Sequence, residues 1–125
     1  MKPHEEWLYK AHNDLRAAEE LIKITPPILD VTVYHAQQCG EKALKAYMSY
    51  KNKQVERVHD IRALLERLIK NEPRFVVIHE DALTITPYAT LYRYPGELLQ
   101  PTQTEAEKAV ESAKRILHFI EELIG

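Results

Sequence analysis

The sequence predicts an all-α protein, an up-and-down bundle of four to five helices, and three observations predict it. Apolar residues recur at three- and four-residue spacing along most of the chain, as one buried helix face requires. Only three glycines and seven prolines occur in 125 residues, and the breaks they make fall at regular intervals. No persuasive pair of strands is present, so helices joined by short turns must bury one another.

In chain order, Leu8, Ala11, Leu15, Ala18, Leu21 and Ile22 mark a first helix from about Pro3 to Ile24. Thr25-Pro26-Pro27 ends it, because proline removes a donor and biases the residue before it away from helix. Asp30 is expected to cap a second helix that runs to about Lys51. Lys51-Asn52-Lys53-Gln54 is a polar stop, followed by a connector through Arg57. A third helix begins near His59-Asp60, carries Ile61, Leu64, Leu65, Leu68 and Ile69, and breaks at Asn71-Glu72-Pro73. From Arg74 to Leu91 the runs Phe75-Val76-Val77-Ile78 and Thr84-Ile85-Thr86, rich in β-branched residues, favour strand on propensity alone. A loop follows from Arg93 to Pro101. Thr102 and Glu105 have the spacing of a capping box for a last helix with Ala106, Ala109, Val110, Ala113, Ile116, Leu117 and Ile120 on its apolar stripe.

The second helix has two unlike faces. At about 100° per residue, Val33, Ala36, Gly40, Ala43, Leu44 and Tyr47 form one side. The small residues there let a neighbouring helix approach closely. His35, Gln38, Glu41, Lys42 and Lys45 fall on the opposite side, which reads either as a solvated face or as a polar groove or subunit contact.

Size and charge set further bounds. A single domain spanning residues 1–125 can bury roughly two thirds of its unfolded surface, so it needs no disulfide or metal to fold. The single cysteine, Cys39, cannot form an internal bridge, which fits a reducing cytoplasm, and it reads as a small buried hydrophobe. No stretch resembles a signal peptide, and no apolar run approaches the roughly 18 residues that span a bilayer. A soluble cytoplasmic protein without membrane partners is expected. Seventeen basic and nineteen acidic residues give a formal charge of −2, which argues against broad, non-specific nucleic-acid binding but leaves room for a local basic patch.

The chemistry-bearing residues narrow the choice. His4, His12, His35, His59, His79 and His118 contain no pair at metal-ligand spacing, so no metal or other cofactor is expected. Ser49 and Ser112 lie inside predicted helices without a nucleophile elbow, and three scattered glycines cannot cradle a phosphate. No catalytic residue is assigned. What remains is a polar constellation of His35, Gln38 and Lys42 with Arg93 and Tyr94. Arginine between two tyrosines can stack as well as bind phosphate. These five residues are the candidate binding set, either for an anion or nucleotide phosphate or as ties to the loop or to a second subunit.

Four ordered motifs carry a family resemblance. Trp7-Leu8-Tyr9-Lys10-Ala11-His12-Asn13-Asp14-Leu15 resembles the first helix of small prokaryotic HEPN-domain proteins, and His35-Ala36-Gln37-Gln38-Cys39-Gly40-Glu41-Lys42-Ala43-Leu44-Lys45-Ala46 their signature helix. Val58-His59-Asp60-Ile61 resembles a Thr-His-x-Leu helix start, with Val58 in place of the hydroxyl. Arg93-Tyr94-Pro95 resembles the Arg-Tyr-Pro that ends the penultimate helix. The resemblance implies helix between Arg74 and Leu91, with a break near Thr86-Pro87.

It also implies a homodimer that partners a separate nucleotidyltransferase in a toxin–antitoxin-like module and binds nucleotide or RNA. Many HEPN proteins cut RNA without metal, using an arginine that steadies the phosphate and a histidine about one to two helical turns later that moves the proton. Arg93 has no such histidine near it in sequence. Arg74 and His79 have the spacing, but lie one element too early and would point about 140° apart in an unbroken helix. A metal-independent ribonuclease toxin, or a helical interaction domain that binds no nucleotide, are the alternatives.

Overall fold

A computed structural model describes every residue of the chain except 56, 58, 59 and 97–99. Five α-helices follow in order: α1 (Pro3–Leu21), α2 (Leu29–Tyr50), α3 (Ile61–Asn71), α4 (His79–Ile85) and α5 (Gln103–Ile124). Two 3-10 turns, Pro73–Ile78 and Thr86–Ala89, flank α4, and no strand occurs among the described residues. The α2 helix is the hub. It packs most extensively on α1, next on α5, and α3, α4 and the second 3-10 turn close the remaining sides.

The helix ends follow from local chemistry. The α1 helix stops at Leu21, a few residues before the expected limit, and the Ile28 amide donates back to the Leu21 carbonyl at 3.1 Å across the diproline turn. Asp30 is not the cap of α2. The helix begins at Leu29, whose buried side chain anchors the first turn, so Asp30 lies inside it and takes the Val31 amide at 3.0 Å. A carboxylate there still complements the helix dipole.

At the other end of α2, Asn52 adopts a left-handed φ of 57°. The amides of Asn52 and Lys53 return to the carbonyls of Ser49 and Met48, a Schellman closure. Asp60 caps α3 through the amides of Arg62 and Ala63, although His59 beside it lies outside the described residues. The capping box of α5 is complete. Glu105 N–H donates to Thr102 Oγ1 at 3.1 Å and Thr102 N–H to Glu105 Oε1 at 2.9 Å.

Between Arg74 and Leu91 strand propensity loses, and the helix expected to break once, near Thr86-Pro87, breaks twice. The chain is cut into a 3-10 turn, a seven-residue helix and a second 3-10 turn, with one junction at the expected Thr86 and another at Ile78–His79. The three-residue repeat of a 3-10 turn places Phe75 and Ile78 on one side, and both are buried, while Val76 and Val77 face outward. Phe75 meets Tyr47 and Phe119 edge-on, at ring separations of 4.9 and 5.2 Å. Arg93-Tyr94-Pro95 lies beyond the second 3-10 turn and not in a helix, and residues 97–99 of the expected loop lie outside the described residues.

Gly40 is where three elements converge on α2. A Cβ there would stand 2.5 Å from Ile85 Cδ1, 3.3 Å from Ile61 Cδ1 and 3.4 Å from Ile116 Cδ1, atoms of α4, α3 and α5. Gly40→Ala gains about 1 kcal/mol of helix propensity, but overpacking a filled core costs about 1–3 kcal/mol. A net loss of about 1 kcal/mol is expected by urea denaturation. Ile85→Val removes the offending Cδ1, so Gly40→Ala with Ile85→Val should be less destabilised than the two single changes added together.

Candidate functional site

The polar side of α2 is buried at Glu41 and Lys45 and part-exposed at His35, Gln38 and Lys42. Glu41 and Lys45 are 3% and 4% exposed, and their ion pair at 3.0 Å lies inside the bundle. Gln37, fully buried, donates to Glu41 at 3.2 Å, and Gln38 donates to Gln37 at 2.8 Å. Lys45 Nζ also lies over the Trp7 ring of α1, 5.7 Å from its centroid. A buried charge is tolerable only when paired and hydrogen-bonded, and this ladder supplies both.

The next part of the same side meets α1. Asp14 stands among Ala11, Leu15 and Ala18 on the buried face of α1 and is itself 7% exposed. Its two oxygens take one partner each from α2: Lys42 Nζ at 2.6 Å and His35 Nδ1 at 2.8 Å. Burial pushes the Asp14 carboxyl up. The hydrogen bonds from His35 and Lys42, with the charge of Lys42, more than offset it and hold the group below its ordinary range.

Arg93 and Tyr94 form the other half of the constellation. Tyr92 adopts a left-handed φ of 68°, and its ring stacks on Tyr88 at 6.1 Å. That bend turns Arg93 toward α2, where its guanidinium lies over Tyr34 at 4.5 Å from the ring centroid and 5.7 Å from that of Tyr94. One N–H donates to the Ala89 carbonyl at 2.9 Å, and no carboxylate pairs with Arg93 among the described residues. A cleft of about 160 Å³ opens here, lined by Asp30, Val31, Tyr34, Tyr92 and Arg93.

Tyr34 joins the halves, since its ring meets that of His35 edge-on at 5.5 Å. The structure thus links Lys42, Asp14, His35, Tyr34, Arg93 and Tyr94 in one chain of contacts, while Gln38 belongs to the buried ladder. Asp14 and Tyr34 are the members that sequence reasoning missed. An acid within the apolar stripe of α1 was the available signal for Asp14.

Arg74 and His79 do not form one surface pair on a continuous helix. Arg74 sits in the 3-10 turn and pairs with Glu72 at 3.2 Å, and Glu72 in turn accepts the Tyr47 hydroxyl at 2.9 Å. His79 opens α4. Cys39 is fully buried with its sulfur 3.9 Å from the Ala113 carbonyl, and burial pushes its thiol far above the ordinary range. Among the described residues no three His, Cys, Asp or Glu side chains gather as metal ligands would, and no helix is long and apolar enough to cross a membrane.

The depressed carboxyl makes a signed prediction. Its contribution to stability is fully present above the ordinary carboxyl value of 3.8 and is lost as the pH falls through the lower folded value. Asp14→Asn should therefore cost about 1–3 kcal/mol at neutral pH, with the gap to the parent protein closing below about pH 4. Urea midpoints measured from pH 7 down to pH 3 check it.

Comparison with known proteins agrees with this architecture. The family model described as the HEPN domain matches residues 4–123. A crystal structure of ST0689, an archaeal HEPN homologue, superposes with a TM-score of 0.77 at 26% identity and full coverage of both chains. TT1696 from Thermus thermophilus superposes with a TM-score of 0.80 at 29% identity, over 98% of each chain. In Methanocaldococcus jannaschii, the protein MJ1304, whose name puts it forward as a toxin, is 29% identical over 133 aligned positions, covering 94% of this chain and 86% of its own length. With a family match running over nearly its whole length, the chain belongs to the HEPN domain family.

Proposed function

We propose that this protein is the HEPN half of a toxin–antitoxin-like two-component module. In this reading it is cytoplasmic, works as a homodimer with a separate nucleotidyltransferase as partner, and meets the phosphates of a nucleotide or RNA at the Arg93 ledge. Family membership and the likeness to MJ1304 support the module. The ledge rests on one observation: Arg93 is held against Tyr34 and near Tyr94, with only one of its N–H donors spent on a carbonyl. A guanidinium so placed offers a flat, permanently charged fork to phosphate, and the flanking rings offer faces to a base. Asp30 on the same cleft has an oxygen on the Val31 amide.

A ribonuclease reading is favoured by one further observation. Asp14 fixes His35 through Nδ1, and the Tyr34 ring contacts both that imidazole and Arg93. In this reading Arg93 steadies the phosphate while His35 accepts the proton of the 2′-hydroxyl, whose oxygen bonds to phosphorus as the bond to the 5′-oxygen breaks and that oxygen leaves protonated by water. The Arg74 and His79 pair has no such support, because Arg74 is tied to Glu72.

A thermal-shift measurement with nucleoside triphosphates, followed by electrophoresis of added RNA, separates the readings. A ligand confined to the folded state at about 100 times its Kd adds about 2.7 kcal/mol of stability. The expected result is a raised Tm with RNA intact, and loss of the shift in Arg93→Ala. Survival of the shift in that variant removes Arg93 from the site. RNA cut by the parent protein and spared by His35→Ala replaces the partner reading with the nuclease.

A further inference from the structure

Away from the ledge, where α1 starts beside the end of α2, two cavities lie side by side and share Pro3 as a wall. The larger, about 480 Å³, is bordered by Lys2, His4, Ser49, Tyr50, Asn52 and Lys53. The smaller, about 310 Å³, is bordered by Glu6, Trp7 and Lys10. Cations and rings therefore occur together along one edge of the bundle. His4 and Tyr50 meet edge-on at 5.2 Å and form the aromatic wall of the first cavity, while Trp7 stands in the second.

Lys2, Lys10 and Lys53 form no ion pair among the described residues. Lysines near a helix C-terminus commonly answer its carbonyls. Here the amides of Lys51, Lys53 and Asn52 already take the carbonyls of Tyr47, Met48 and Ser49. Of the nearby acids, Glu5 is spent on the Lys2 backbone amide, and Glu6 is the only carboxylate among the described residues that borders either cavity.

We infer that this edge binds a short single-stranded nucleic-acid segment, at a site separate from the Arg93 ledge. Lys2 and Lys53 take one phosphate with help from Ser49 and Asn52, Lys10 takes the next, and bases lie against Tyr50 and Trp7. The pattern of ammonium and ring is what a single strand needs, since phosphates repeat along it and every base has a face to stack. Two adjoining cavities fit a strand of two or three nucleotides better than one free nucleotide. The net charge of −2 disfavours non-specific binding over the whole surface, so such binding needs a local basic patch of this kind.

Fluorescence anisotropy with a labelled oligouridine of about ten nucleotides, and with its deoxy counterpart, tests the inference at low salt. Binding is expected to weaken at least tenfold in Lys2→Glu with Lys53→Glu, and about fivefold or more in Tyr50→Ala. In an Arg93→Ala background, which removes any contribution of the ledge, the same losses are expected on changing Lys2 with Lys53, or Tyr50. Engaging about two phosphates gives a slope of about −1.4 for log K against log salt, and the double charge reversal should flatten it. Melting temperatures of these surface variants verify that they fold. Preference for the ribo-oligomer identifies RNA as the ligand, and equal binding identifies a strand site blind to the 2′-hydroxyl. Absence of binding at low salt overturns the inference, as does undiminished binding by the doubly reversed variant. Binding lost only in Arg93→Ala also overturns it, while supporting the ledge.

Discussion

The whole arrangement depends on α2 being enclosed although much of its sequence is polar. A helix at the centre of a bundle ordinarily answers enclosure with apolar residues on every side. This one instead carries Gln37, Glu41 and Lys45 into the interior and pairs them with one another, then hands His35 and Lys42 to Asp14 of α1. Such pairs add little net stability, because desolvation consumes most of the Coulomb gain. Separating them is what costs. A slip of α1 by one turn along α2 would leave a carboxylate and two nitrogen groups without partners, so the polar contacts set the register in which the apolar faces pack.

That register governs the candidate site. Tyr34 and His35 are consecutive on α2, and one supports Arg93 while the other is fixed by α1. The ledge is thus assembled from α1, α2 and the turn after Thr86–Ala89. Tyr92 holds a left-handed backbone that costs a non-glycine residue about 1–3 kcal/mol, and its stacking on Tyr88 helps to offset this. Local strain at the turn serves to aim the neighbouring guanidinium.

Legibility in the sequence divides along the same lines. Features fixed within a few residues were readable, namely the α5 capping box and the polar stop after Tyr50, and the small residues of one α2 face announced the close approach at Gly40 without naming its partners. The α4 region was not readable from propensity, because β-branched Val76 and Val77 favour strand locally while burial of Phe75 and Ile78 selects a 3-10 turn. Asp30 misled because Leu29, one residue earlier, gains more from burial than a cap would supply. Within the site, Arg93 and Tyr94 could be singled out by type. Their relation to Tyr34, and the capture of His35 by Asp14 across a separation of 21 residues, exist only once α1 and α2 have packed.

Cys39 gives this enclosure a use at the bench. It is the sole thiol of the chain, fully buried, with its sulfur facing the Ala113 carbonyl of α5. An alkylating reagent can reach it only when α5 lifts from α2 or the chain unfolds. The unaltered protein therefore carries its own clock for that opening, and the labelling rate of one natural side chain reports how often the centre of the bundle is exposed.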